Sequence, residues 1–135
     1  MVLVDTSVWI EFINGNSKGP VEYLKYILSE DQPVGITGLI YQEILQGADS
    51  LKRYRQFRDY FGSQIFFHPN DPIESYAAAA RLYFDCRRKG VTIRSTNDCL
   101  IAQIAIEHDL GLLHNDRDFE QMKAVIPALK FAYIR

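Results

Sequence analysis

Five acidic side chains stand where short apolar runs give way to polar residues. Asp5 ends VLVD, Glu43 lies in YQEIL, Asp98 in TNDCLI, and Asp116 and Asp118 in LLHNDRDF. Carboxylates gathered from separate stretches of a chain can hold a hard divalent cation beside water and phosphate oxygens. Taken singly, each acid has a plainer reading. Asp5 in DTS suits a turn or a helix cap, and Asp98 suits the positive end of a helix. Glu43 suits a solvated helix face and Asp116 a loop. Two positions resist that. Glu43 is bracketed by Ile40, Ile44 and Leu45, which draws it toward an apolar face, and Asp5 follows a run that reads as buried. Buried, clustered carboxylates raise one another's pKa and need a counter-charge. No matching set of lysines accompanies these positions. An all-oxygen site suits Mg²⁺ or Mn²⁺ better than zinc, and in outline it is a phosphodiesterase centre. A carboxylate not fully engaged by metal can orient water or act as base.

The elements that must position these acids alternate strand and helix. Apolar runs at Met1–Asp5, Pro33–Ile36, Gln64–Phe67, Leu112–His114 and Leu129–Ile134 read as strands. Helical patterns cover Ser7–Ile13, Val21–Leu28, the Thr37-capped stretch that Gly47 closes, Leu51–Phe61, Ile73–Lys89, Asn97–Asp109 and Arg117–Ala124. Ser95 or Thr96 can cap the sixth of these, and Gly111 lies near its C-terminal end. The alternation implies an α/β fold with a mainly parallel sheet. In such a sheet functional groups collect beyond the carboxyl ends of the strands. Asp5 and Asp116 fall there, Asp98 in the first turn of its helix, and Glu43 one turn into the helix after the second strand.

At 135 residues the chain reads as one domain, 1–135, with enough core to fold alone. Eight Tyr, eight Phe and one Trp argue against disorder. A net charge of −2 argues against coating nucleic acid by bulk charge, though not against a local basic patch. Gln103 and Glu107 interrupt the most apolar run, so no membrane partner is expected. The MVLVD start lacks the basic region of a signal peptide. Cys86 and Cys99 are outside CxxC spacing and read as reduced, structural thiols, consistent with a cytoplasmic location.

Lys52, Arg53, Arg55 and Arg58, with Tyr54 and Phe57, form a basic run that could touch phosphates, although a solvated helix face is the commoner reading. Arg94, just before Ser95–Asp98, is a better phosphate-contact candidate; Arg53 is the candidate from the run. Arg87, Arg88 and Lys89 suit a helix C-terminus. His68, His108 and His114 lack metal-ligand spacing and read as structural, and Trp9 and Phe12 as core or dimer contacts.

Four stretches carry a family resemblance: VLVDTSVWIEF, TGLIYQEILQG, STNDCLIAQIAIEHDLGLL and HNDRDF, which together span residues 2–119. In this order they resemble the PIN-domain ribonucleases, most of all the VapC-type toxins of toxin–antitoxin pairs. The resemblance implies a three-layer α/β/α sandwich with a mainly parallel central sheet, and a metal-dependent endoribonuclease with Asp5, Glu43, Asp98 and Asp116 as its catalytic, metal-binding acids, Glu43 through water. It implies an outer-shell role for Asp118, a supporting hydroxyl in Thr6 and a supporting amide in Asn97. It also implies an RNA substrate, for which Arg94 and Arg53 are the RNA-contact candidates, a cognate antitoxin whose basic residue can compete for the acids, and a homodimer. Two alternatives stand beside it. One is a PIN-like RNA-processing nuclease without an antitoxin. The other is a non-catalytic α/β binding module of receiver type, which would need paired acids after the first strand and a later lysine; Thr6 and Ser7 follow Asp5 instead.

Overall fold

The computed structural model describes residues 1–133. Among them five strands form one sheet, ordered β3-β2-β1-β4-β5, and every pairing is parallel. The strands are β1 (Val2–Val4), β2 (Val34–Ile36), β3 (Ile65–Phe66), β4 (Gly111–Leu113) and β5 (Lys130–Phe131). The helices are α1 (Thr6–Ile13), α2 (Pro20–Ser29), α3 (Gly38–Gln46), α4 (Leu51–Gly62), α5 (Glu74–Arg88), α6 (Thr96–Glu107) and α7 (Arg117–Val125). The α/β sandwich on a parallel sheet is therefore present.

The chain leaves β1 toward β2 and leaves β4 toward β5, in opposite directions across the sheet. Right-handed crossovers then place the two connecting sets of helices on opposite faces. Contacts agree: α1 packs on α2 and α3, and α3 on α4, whereas α5, α6 and α7 pack on one another. The reversal makes the gap beyond β1 and β4 the switch point, where ligand sites of open α/β sheets form. The central strands are short and fully apolar because both faces are covered. Leu3, Val4, Ile36, Leu112 and Leu113 are buried, and Trp9 of α1 packs edge-on against Phe12 of the same helix and Phe61 of α4. Trp9 is thus a core residue. Gly35 in β2 admits the Phe67 ring, which a Cβ would meet at 2.6 Å.

Several element ends differ from the sequence expectation. The strand placed at Leu112–His114 is Gly111–Leu113, because pairing of Val2 with Gly111 sets its register. Gly111 is therefore not a helix terminator. That turn is made by Asp109, at φ 52°, a left-handed conformation that aspartate tolerates. Ser95 occupies the N-cap of α6, but its hydroxyl makes no cap bond. Thr37 does cap α3, accepting from the Ile40 N–H at 3.1 Å. The third strand is shorter than Gln64–Phe67, and the last is Lys130–Phe131; the expected end at Ile134 lies outside the described residues.

Candidate active site

Asp5 follows β1 directly, and its backbone N–H donates to the Leu113 carbonyl of β4 at 2.9 Å. Its side chain caps α1, accepting from the Ser7 N–H at 3.1 Å and from the Ser7 hydroxyl at 2.6 Å. The same hydroxyl accepts from the Asn115 N–H at 2.9 Å. Ser7 therefore ties the end of β1 to the loop after β4. Sequence reasoning missed it, although a hydroxyl two residues after a capping aspartate was a readable signal.

Asp116 repeats the arrangement one strand over. It caps α7, accepting from the Asp118 N–H at 2.9 Å. Asp98 enters from the first turn of α6 and is 8% exposed. Three helix N-termini thus face the cluster, and their positive ends offset part of the crowding of negative charge. Glu43 reaches in from α3, half-buried, and the buried Thr6 hydroxyl donates to its Oε1 at 3.1 Å.

The four acids act on one another electrostatically. Burial, then the fields of Asp5, Asp116 and Glu43, push the Asp98 carboxyl up to about 8. Burial raises Asp5 too, opposed by its bonds from Ser7 and aided by the charge of Asp116. Burial and the charge of Asp5 raise Glu43, opposed by the bond from Thr6. Near neutral pH this cluster is short of positive charge.

Carboxylate oxygens of Asp98, Asp116 and Asp118 lie within 4.8 Å of one another. Asp118 is otherwise engaged, however. Its buried carboxylate accepts from the Arg94 N–H at 3.0 Å and from Arg94 Nε at 3.1 and 3.2 Å. The N-cap of α7 is Asp116, and Asp118 lies in the first turn.

Other expected residues fall as follows. Asn97 is exposed, makes no hydrogen bond to these acids among the described residues, and lines a groove with Tyr76, Ala79, Ala80 and Tyr83. Arg53 lies on the exposed face of α4 with its guanidinium 5.1 Å from the centre of the Phe57 ring. His114 is buried against Phe119 and Phe131, and its Nδ1 accepts from the Asp116 N–H at 3.1 Å, a structural role that steadies the loop. His108 bonds the His68 carbonyl, away from the acids. Cys86 and Cys99 are buried, unpaired thiols.

A parallel sheet with a ring of acids at its switch point defines a class, and comparison with known proteins names it. The PIN domain sequence model matches residues 2–125, and the chain belongs to the PIN-domain family. Within it, the chain is similar to the VapC ribonuclease Mb1587 of Mycobacterium bovis. The two are 34% identical over 121 residues, 89% of this chain and 90% of that protein. Ribonuclease VapC11 of Mycobacterium tuberculosis is similar to the same extent. Among solved structures, VapBC2 from Rickettsia felis bound to a DNA fragment from their promoter matches with a TM-score of 0.71 at 22% identity, covering 97% of each chain. A toxin–antitoxin complex from Klebsiella pneumoniae matches with a TM-score of 0.69 at 20% identity, covering 100% of each chain. At these identities the structural likeness is one of fold.

Proposed function

We propose that this chain is a metal-dependent endoribonuclease that hydrolyses RNA phosphodiester bonds, forms a single nuclease domain, and serves as the toxin of a toxin–antitoxin pair. The observation that carries the chemistry is Asp98, buried among Asp5, Asp116 and Glu43 with its proton affinity raised by all three. A group of hard oxygen donors with too little positive charge fits Mg²⁺ or Mn²⁺. Asp5, Asp98 and Asp116 would hold the ion, and Glu43 would reach it through water. When bound, such an ion neutralises charge on the phosphate and acidifies water.

The chain's own residues do the rest. Ser7 fixes the rotamer of Asp5, and the Asp118 N–H fixes that of Asp116. Thr6 holds Glu43 by one oxygen, which leaves the other to accept the proton of an attacking water. The raised proton affinity of Glu43 favours that transfer near neutral pH. The new P–O bond forms as the bond to the leaving ribose oxygen breaks.

The toxin assignment is supported by the VapC relatives and by neighbours solved as toxin–antitoxin complexes. We extend it to a cognate antitoxin partner, a homodimer, and action on RNA in the cytoplasm. Among the described residues no helix is long and apolar enough to cross a membrane. Inducing the chain with and without the protein encoded beside it, and mapping RNA 5′ ends, tests this reading. New 5′ ends and growth arrest should appear with the chain alone and vanish on co-expression. Unchanged RNA with the chain alone would refute it.

A further inference from the structure

Arg94 and Asp118 lie 24 positions apart in sequence and form the most elaborate ion pair at the site. Asp118 holds both the backbone N–H and the Nε of Arg94. The Asp118 side chain is 5% exposed, whereas that of Arg94 is 70% exposed. A pair that only balanced the Asp118 charge would need neither the backbone bond nor an exposed guanidinium. Anchoring through the backbone and Nε together fixes the direction of a rigid, planar fork. The outer end of that fork reaches Asp116, with Nη2 at 3.5 Å from Asp116 Oδ1, a marginal contact. Its terminal donors are therefore held at the rim of the cluster and are little used there.

RNA brings a phosphate, which four carboxylates repel. A guanidinium placed beside them can donate to a non-bridging phosphate oxygen and stabilise the charge that builds up during attack. We propose that Arg94 is a phosphate-binding catalytic residue of this site and that Asp118 is its anchor, not a metal ligand. The inference rests on the nuclease reading above. It also resolves the place of Asp118, which lies close enough to Asp98 and Asp116 to bind metal but whose carboxylate is already taken by Arg94.

Two measurements on the purified chain test it: RNA cleavage kinetics with Mn²⁺, and calorimetric titration with Mn²⁺ alone. Arg94→Ala should lower kcat/KM on the order of 100-fold, with Mn²⁺ affinity and circular dichroism unchanged. Arg94→Lys should recover only a small part, since an ammonium lacks the Nε anchor and the fork. Asp118→Asn should show the Arg94→Ala loss and the same unchanged Mn²⁺ affinity, and the double variant should be no worse than either single one. Wild-type kcat/KM in Arg94→Ala would overturn the proposal. So would an Asp118→Asn variant that loses Mn²⁺ binding as fully as Asp116→Asn. Absence of cleavage by the wild-type chain itself would overturn the nuclease reading and this inference with it; cleavage by wild type and Arg94→Ala alike would overturn this inference alone.

Discussion

The Thr6 hydroxyl donates to Glu43 Oε1 at 3.1 Å, joining the first residue of α1 to the middle of α3. Thirty-seven positions separate them in sequence. The bond selects one rotamer of Glu43 and leaves its second oxygen available. Thr6→Val keeps the shape and removes the donor. It should lower kcat/KM roughly 10- to 100-fold, the usual effect of losing a partner that orients a site carboxylate, with the melting temperature nearly unchanged. Thr6→Ser should retain most activity. A fully active Thr6→Val would show that Glu43 needs no such fixing.

Asp116 is both a helix cap and a member of the acid cluster, and two substitutions separate these roles. Asparagine caps as well as aspartate does. Asp116→Asn should therefore keep the stability of α7 while cleavage falls to background. Asp116→Ala should lose the cap as well, about 1 kcal/mol. Thermal melts alongside cleavage assays distinguish the two, and equal melting temperatures for both variants would deny the capping role.

The pH dependence of the metal-free protein follows from Asp98. Burial and the neighbouring carboxylates push its pKa up to about 8 in the folded state, from an ordinary 3.8. Between those values the folded state binds the proton more tightly, so this group's contribution to stability falls as pH rises through that window. Asp5 and Glu43 shift in the same direction. Asp71, Asp109 and Glu107 are lowered by their hydrogen bonds and act in the opposite sense. The difference between wild type and Asp98→Asn isolates the Asp98 part. In EDTA the wild type should lose stability relative to Asp98→Asn between pH 5 and pH 8, and Mn²⁺ should reverse the loss at pH 8. A constant difference across that range would contradict the burial and crowding described for Asp98.

The thiols should be inert in the native state. Burial pushes Cys99 up to about 11 and raises Cys86 as well. Their reaction with a disulfide reagent at pH 8 should proceed only as fast as the protein opens, because the thiolate is the reactive form. Fast labelling of the native chain would contradict that placement.

The order of strands and helices was legible in the sequence because apolar runs and helical periodicity switch cleanly, as in the Thr37 cap and the alternation of Ile40 and Ile44 around Glu43. The placing of Asp5, Glu43, Asp98 and Asp116 near one sheet edge was legible for the same reason, since Asp5 and Asp116 follow strands, Asp98 begins a helix and Glu43 lies inside the helix after the second strand. Less legible was what depends on long-range registry. The start of β4 at Gly111 is set by pairing with β1, and local turn logic assigned that glycine to the preceding helix. The grip of Asp118 on Arg94 links the first turn of α7 to the loop before α6 and leaves no periodic trace. For Asp5 the choice between helix cap and site acid was a false one, and Asp116 proves to be no plain loop residue, because each side chain caps its helix and contributes to the cluster's electrostatics.

The central claim is that these acids form a divalent-cation site that drives RNA hydrolysis. Its most direct test is the initial rate of RNA cleavage as a function of free Mn²⁺, for wild type and Asp98→Asn in parallel. The wild-type rate should rise with Mn²⁺, saturate, and vanish in excess EDTA, while Asp98→Asn stays at background at every concentration. Full cleavage in excess EDTA, or wild-type rates from Asp98→Asn, would contradict the account.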